Sequence, residues 1–282
     1  MKSMSSIEWK LRQLWLKAKC RFRGRRPIPY ELWPGVQFVA HIDDVSSHDI
    51  YIKHTYEQKE LEWCAKWLRD GDSFIDCGAN IGFYSACLSQ MKKLTKVLAI
   101  EGNEICSRRC KDGFQELGLN EIILVKAILH SDETKNLQIT HKPGQEGLQY
   151  AEACPNKKPT LRTKTLDNLA AENDVLPALI KIDCEGAETE ILRGAKNILE
   201  NIRPGWLIEV NDNALSRAGT TRNELFNLLR QERYRLYHVS SAYEDIPFGI
   251  EVNDDLSSWS FNLAAIPNDE SSQQRWKNSY LA

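Results

Sequence analysis

The sequence predicts an open α/β fold with a mostly parallel sheet covered by helices on both faces. Two observations predict it. Short apolar runs rich in strand formers alternate with helical-period stretches through the middle of the chain, and that alternation is the signature of strand–helix–strand units. Within the alternation, Asp72–Gly82 reads as a strand, a glycine-containing turn and a helix start, a ligand cradle in which bare backbone N–H groups approach whatever binds.

Residues 1–26 form an arm of distinct composition. Ile7, Leu11, Leu14, Trp15, Ala18 and Phe22 fall on one helical stripe, and Lys10, Arg12, Lys17, Lys19, Arg21 and Arg23 fill much of the remainder. A basic amphipathic helix with tryptophan suits a membrane interface. The favoured expectation is instead an arm that packs this stripe on the main domain, as most amphipathic helices do. Residues 27–70 read as a β-rich and helical lead-in. Val36–Ala40 and Asp49–Ile52 are strand-like, punctuated by Pro27, Pro29, Pro34 and Gly35, and suggest a hairpin beside the main sheet. Helical spacing follows from Glu57 to Leu68, closed by Gly71.

The main domain occupies residues 71–282. Ser73–Cys77 is its first strand, Gly78, Ala79 and Gly82 shape the turn, and Phe83, Tyr84, Ala86, Cys87, Leu88 and Met91 are the apolar positions of the helix. Lys96–Glu101 is a buried-type strand ending in an acid; Asn103 caps a helix to about Leu117, with Gly118 as its stop. Ile122–Leu129 reads as a third strand. Residues 130–160, with Pro143, Gly144, Gly147 and Pro155, read as an excursion with strand content at Asn136–Thr140, a natural place for substrate selection. Ala178–Asp183 and Trp206–Val210 are the fourth and fifth strands, with a helix through Ala187, Ile191, Leu192, Ala195, Ile198 and Leu199 between them. Thr221 and Glu224 have capping-box spacing, and Tyr234–Val239 and Trp259–Ile266 are the last two strands.

A net charge of −2 exerts no general pull toward nucleic acid, and no apolar run approaches the ~20 residues that span a bilayer. The eight cysteines (20, 64, 77, 87, 106, 110, 154 and 184) sit mostly in apolar segments without metal-ribbon spacing. Reduced thiols acting as small hydrophobes, with no visible signal peptide, suggest the cytoplasm.

The chemistry gathers at strand ends. Asp76, Glu101 and Asp183 end or follow predicted strands, and Glu209 lies near the end of another; in a parallel sheet these ends share one edge. Glu101 follows Asp76 by 25 residues, the separation at which an acid grips a ribose diol. Gly78 and Gly82 do not make G-x-G-x-x-G, so a nucleoside cofactor without a pyrophosphate is favoured, S-adenosylmethionine being the common one. His54 and His130 lie near the same edge, but a lone histidine there is not promoted to a base.

Phe74–Ser85 resembles the first motif of the FkbM family of S-adenosylmethionine-dependent methyltransferases. Thr165–Asp167, Ile180–Glu188 and Leu192–Ala195 resemble its second block, and Phe261–Pro267 is a weaker third match. Glu101-Gly102-Asn103 departs from the family, which usually has proline after the acid. The resemblance implies a class I, Rossmann-like, seven-stranded methyltransferase domain with S-adenosylmethionine as cofactor. By the same resemblance Gly78, Ala79 and Gly82 shape the loop under the cofactor, and Asp76 or Asn80 meets its methionine end. Glu101 bonds the ribose hydroxyls and Asn103 lies near the adenine.

Asp183 is the first choice for the base that takes an acceptor proton, with Glu209 and Glu185 behind it. Glu185 and Glu188, on a helix expected to begin near Glu185, also suit its N-terminal dipole. Asp183 and Glu209 have the chemistry to share a cation, but no ligand set is visible and no metal is assigned. The resemblance implies O-methylation of a sugar, glycan or polyketide-like hydroxyl. The alternatives are a nucleic-acid methyltransferase docking through the basic arm, and a binding module that has lost turnover. No nucleic acid is expected and the oligomeric state is left open; peripheral membrane contact through residues 1–26 is the remaining partner expectation.

Overall fold

In the computed structural model, which describes residues 6–24, 26–41, 43–141, 149–153, 161–241, 246–253 and 256–281, the chain begins with α1 (Ser6–Phe22) and the hairpin β1 (Ile28–Trp33) and β2 (Val36–Ala40). Helices α2 (Val45–Lys53) and α3 (Gln58–Trp67) follow. The sheet then starts with β3 (Ser73–Cys77), α4 (Phe83–Met91), β4 (Lys96–Ile100), α5 (Glu104–Leu117) and β5 (Ile123–Val125). Short strands β6 (Ile128–Leu129), β7 (Leu137–His141), β8 (Gln149–Ala153) and β9 (Thr163–Lys164) come before α6 (Leu166–Glu172) and β10 (Leu179–Ile182). The remainder is α7 (Glu188–Arg193), a π-helical turn at Ile198–Ile202, β11 (Gly205–Asn211), α8 (Asp212–Arg217), α9 (Arg222–Gln231), β12 (Tyr234–Ser241), β13 (Ser260–Pro267) and α10 (Glu270–Leu281).

The main sheet has the order β12-β13-β11-β10-β3-β4-β5, with β13 antiparallel to both neighbours and the others parallel. Alternation along each strand divides the core. Phe74, Val97, Leu179 and Leu207 face α3, α4 and α10, whereas Ile75, Leu98, Ile180 and Ile208 face α6, α7 and α9. The chain moves outward from β3 through β4 to β5, then returns to β10 on the other flank. Strand order therefore reverses between β3 and β10, and the crevice beyond their carboxyl ends is where such a sheet binds ligands.

Several boundaries agree with the sequence reading. Asn103 caps α5, accepting from the N–H groups of Ile105 and Cys106 at 2.7 and 3.0 Å, and Gly118 closes it in the left-handed region. The Thr221 hydroxyl accepts from Glu224 N at 3.2 Å at the start of α9. Cys64, Cys87 and Cys110 pack in one core layer and Cys77 in the other.

Others do not. Asp49–Ile52 belongs to helix α2, not to a strand: Asp44 caps it by accepting from Ser47 N at 2.6 Å, and the hairpin pairs residues 28–33 with 36–40 instead. Ile122–Leu129 is not one strand. β5 ends at Val125, whose carbonyl takes Glu101 N–H, and β6 leaves the sheet to pair with β9. The helix after β10 starts at Glu188, and Glu185 stands in the preceding turn with φ 52°. The expected packing of the arm's stripe is also overturned for most of its described residues, because Leu11, Leu14 and Phe22 face solvent and Trp15, half-exposed, only stacks on Tyr51, while Leu16 is buried against Ile28 and Ala40. Pro143, Gly144, Gly147 and Pro155 lie outside the described residues.

Candidate active site

The turn after β3 is fixed from below and from the side. Gly78 and Ala79 N–H groups both donate to Ile100 O at 3.0 Å, while Asp183 N donates to Cys77 O at 3.1 Å. Gly78 has φ +78°, and a Cβ there would stand 2.0 Å from Asp183 O, so only glycine lets β3 and the β10 loop come this close. Asn80 is also left-handed, a conformation asparagine tolerates.

Glu101 lies at the floor of the crevice, immediately past β4. Its Oε2 accepts from Asn80 N at 2.8 Å and its Oε1 from Asn103 N at 2.7 Å. Each oxygen keeps lone-pair capacity for a further donor, so the carboxylate is oriented without being exhausted. Burial raises its pKa to about 7, against the lowering effect of the Asn103 and Asn80 N–H groups.

Asp76, in β3, is buried. Its Oδ2 accepts from Ser85 N and Oγ at 3.2 and 2.7 Å, and its Oδ1 has no hydrogen-bond partner. Burial pushes its pKa up. Across the ladder its register partner is Lys181, a buried lysine that sequence reasoning missed. Lys181 Nζ donates to Asp183 Oδ2 at 2.8 Å and lies 4.7 Å from the centre of the Tyr84 ring. Tyr84 in turn donates to Glu57 at 2.7 Å, another acid that was not singled out. The signal for Lys181 is a lone cation inside the apolar strand Leu179–Ile182, two residues before Asp183 and therefore on its side of the sheet.

Asp183 and Glu209, at the ends of adjacent strands, share a hydrogen bond. Burial would raise the pKa of Asp183, but the Lys181 ammonium, its hydrogen bond and that from Glu209 hold it below the usual range. Glu209 is driven the other way, first by the Asp183 charge and then by burial. The two carboxyls are thus pushed apart: Lys181 favours the ionised form of Asp183, and the Asp183 charge favours the protonated form of Glu209, in which its O–H can donate to Asp183. Glu185 is pushed up to about 7 by burial and by Asp183 and Glu188, with the Arg217 charge opposing. Glu188 accepts from Cys184 and Gly186 N–H groups at 3.0 and 3.2 Å and locks the turn that carries Glu185.

These groups line a cavity of about 300 Å³ between the sheet edge and the β6–β7 segment, where Ala127, Ile128, Leu129 and Ile139 make an apolar wall. Glu57, Glu101, Asp183, Glu185 and Glu209 all open onto it, as do Gly78 and Asn80. Asp76, Ala79 and Lys181 line a smaller cavity alongside. Gly82 and Asn103 line neither; they start α4 and α5. His54 caps α2 and His130 faces Glu190 at 3.6 Å, both away from these cavities. Among the described residues no three His, Cys, Asp or Glu side chains converge as metal ligands.

The model of the FkbM methyltransferase domain matches residues 76–236, which contain the glycine turn and every acid of the cavity except Glu57. The chain belongs to the FkbM methyltransferase family. No curated protein sequence matches it significantly. Among solved structures, this FkbM methyltransferase is similar to FkbM from Methylobacillus flagellatus, at 18% identity and TM-score 0.45 over 79% of this chain and 55% of that one. It is also similar to precorrin-6y C5,15-methyltransferase from Geobacter metallireducens, at 14% identity and TM-score 0.43 over 75% and 88%. TrmK from M. capricolum, solved with S-adenosyl-homocysteine, matches at 13% identity and TM-score 0.45 over 74% and 68%.

Proposed function

We propose that this FkbM methyltransferase methylates a hydroxyl of an uncharged small molecule or glycan, of the sugar or polyketide-like kind, with S-adenosylmethionine as methyl donor. The observation that carries the reading is the charge of the cavity. Five carboxyl groups open onto it, no Lys or Arg is among its described lining residues, and Lys181 and Arg217 beside it are engaged with Asp183 and Glu185. Asp183 is held ionised while burial, and for Glu209 first the Asp183 charge, raises the pKa of the others, so the lining is acidic without a cation of its own to meet phosphate. It suits a sulfonium cofactor, which supports a hydroxyl acceptor over nucleic acid.

The residues present fit the cofactor. Glu101 has the free acceptor capacity a ribose diol needs, and the Ala127–Leu129 wall with Ile139 offers an apolar slot for the base. The unpartnered Oδ1 of Asp76 is a buried acceptor suited to an ammonium group, and Gly78, Ala79 and Asn80 bring backbone to the same place. Gly82 and Asn103 serve this arrangement through the helices they start. When bound, the cofactor supplies an electrophilic methyl group. Asp183 accepts the acceptor hydroxyl proton as its oxygen attacks; Lys181 and Glu209 hold Asp183 ionised and aimed. Glu185 stands at the rim as a further acid near the acceptor.

Glu101→Ala is expected to weaken S-adenosylmethionine binding by on the order of 100-fold, the loss of two hydrogen bonds to a charged acceptor. Calorimetry reads this directly, and unchanged affinity would defeat the assignment. The pH dependence follows from the same group. A diol donates to the ionised carboxylate, so affinity should tighten as pH rises through about 7 and level off above it. The sign for stability is opposite. The folded chain holds this proton more tightly than the unfolded one, so Glu101's favourable contribution at low pH is lost as pH rises through about 7. A flat binding profile across that range would contradict the role of Glu101.

A further inference from the structure

We propose that α1 is a peripheral anchor that seats the protein on an anionic membrane surface. The helix has two apolar faces with different fates. Leu16 is fully buried against Ile28 and Ala40 and ties the helix to the body, and Trp15, at the border between the two faces, stacks one side of its ring on Tyr51 of α2 at 6.4 Å. On the other face Leu11, Leu14, Trp15 and Phe22 are 60%, 64%, 52% and 94% exposed. At about 100° per residue these four and Ala18 span an arc of only about 100°, and Leu16 points about 140° away from Leu11. The stripe therefore points away from the domain while the helix stays docked on it.

The charges choose the occupant. Lys10, Lys17 and Arg21 border the stripe on one side and Lys19 on the other, all of them exposed, whereas Arg23, just past the helix, pairs with Glu116 of α5. Residues 1–26 carry nine Lys and Arg against one Glu, a net +8, so the remaining residues carry −10 of the chain's −2. A second copy laid stripe to stripe would oppose like charges on both flanks. An RNA would meet Leu, Trp and Phe where it needs phosphate contacts. An anionic bilayer accepts both features together: the apolar stripe enters the headgroup boundary and the bordering cations meet lipid charge. The acidic remainder is repelled by the same surface, which fixes the orientation. No described helix is long and apolar enough to cross the membrane, so the contact is peripheral.

Flotation of the full chain with phosphatidylcholine/phosphatidylglycerol vesicles, and with phosphatidylcholine alone, tests this. Recovery with the anionic vesicles, falling on the order of tenfold or more in partition for Lys17→Gln/Arg21→Gln and for Leu14→Asp/Phe22→Asp, is the expected result. Circular dichroism and thermal melts matching wild type exclude misfolding, because none of these side chains is buried. Three results would overturn it: no flotation of the wild type on either vesicle, a dimer in sedimentation that the Asp variants abolish without any flotation, or salt-sensitive binding of an RNA oligonucleotide without vesicle binding.

Discussion

Asp183→Asn should lower kcat by about 10²–10⁴-fold, the range for loss of a positioned general base, while leaving S-adenosylmethionine affinity near that of wild type. The amide cannot take the acceptor proton, yet it fills the same space and still offers an oxygen to the Lys181 ammonium, 2.8 Å away in the wild type. Glu209 would respond as well. Its raised pKa comes first from the Asp183 charge, so removing that charge should return the Glu209 carboxyl toward the ordinary range. Glu209→Gln is the informative partner: the amide N–H replaces the O–H donor, so turnover should fall far less than in Asp183→Asn. Single-turnover kinetics separates the chemical step from binding. Parallel loss of kcat and cofactor affinity in Asp183→Asn would assign Asp183 to the cofactor or to the fold instead.

Gly78→Ala is expected to be the most damaging single methyl that can be added near the site. The backbone at φ +78° costs an L-residue about 1–2 kcal/mol, and the new Cβ would lie 2.0 Å from a backbone oxygen that a rotamer change cannot move. Relief requires β3 and the Asp183 loop to separate, which breaks the Asp183 N to Cys77 O bond of 3.1 Å. Together these amount to about 3–5 kcal/mol, or a Tm lower by about 10 °C in a chain of this size. Cofactor binding should fall with it, since the separation widens the strand junction on which both cavities open. A variant that melts within about 2 °C of wild type would mean that the approach of β3 to β10 is looser than described.

What was legible in the sequence is what local chemistry encodes. The strand–glycine–helix stretch at Ser73–Met91, the Asn103 cap and the acids ending parallel strands depend on neighbours in sequence, and their spacing carried them into the right places. The misreadings share a cause: a tertiary contact decided them. Asp49-Ile50-Tyr51-Ile52 has strand formers but lies in a helix whose Ile50 and Ile52 are buried against the body. The apolar run Ile122–Leu129 divides because Val125 completes the sheet while Ala127–Leu129 line the cavity. Helix α10 was not foreseen, since its polar surface hides the burial of Trp276, which stacks on Tyr237 at 4.5 Å. Lys181 and Glu57 escaped for a related reason. Their importance lies in what surrounds them across the sheet, Asp76 and Asp183 for one and Tyr84 for the other.

The acidic cavity is the centre of this account, and transfer of a labelled methyl group tests it most directly. Incubation of the full chain with tritium-labelled S-adenosylmethionine and a cell extract should label a small molecule or glycan at an oxygen, in a form resistant to ribonuclease and lost with Asp183→Asn. Label that ribonuclease releases, or no transfer by the wild type from a cofactor it binds, would contradict it.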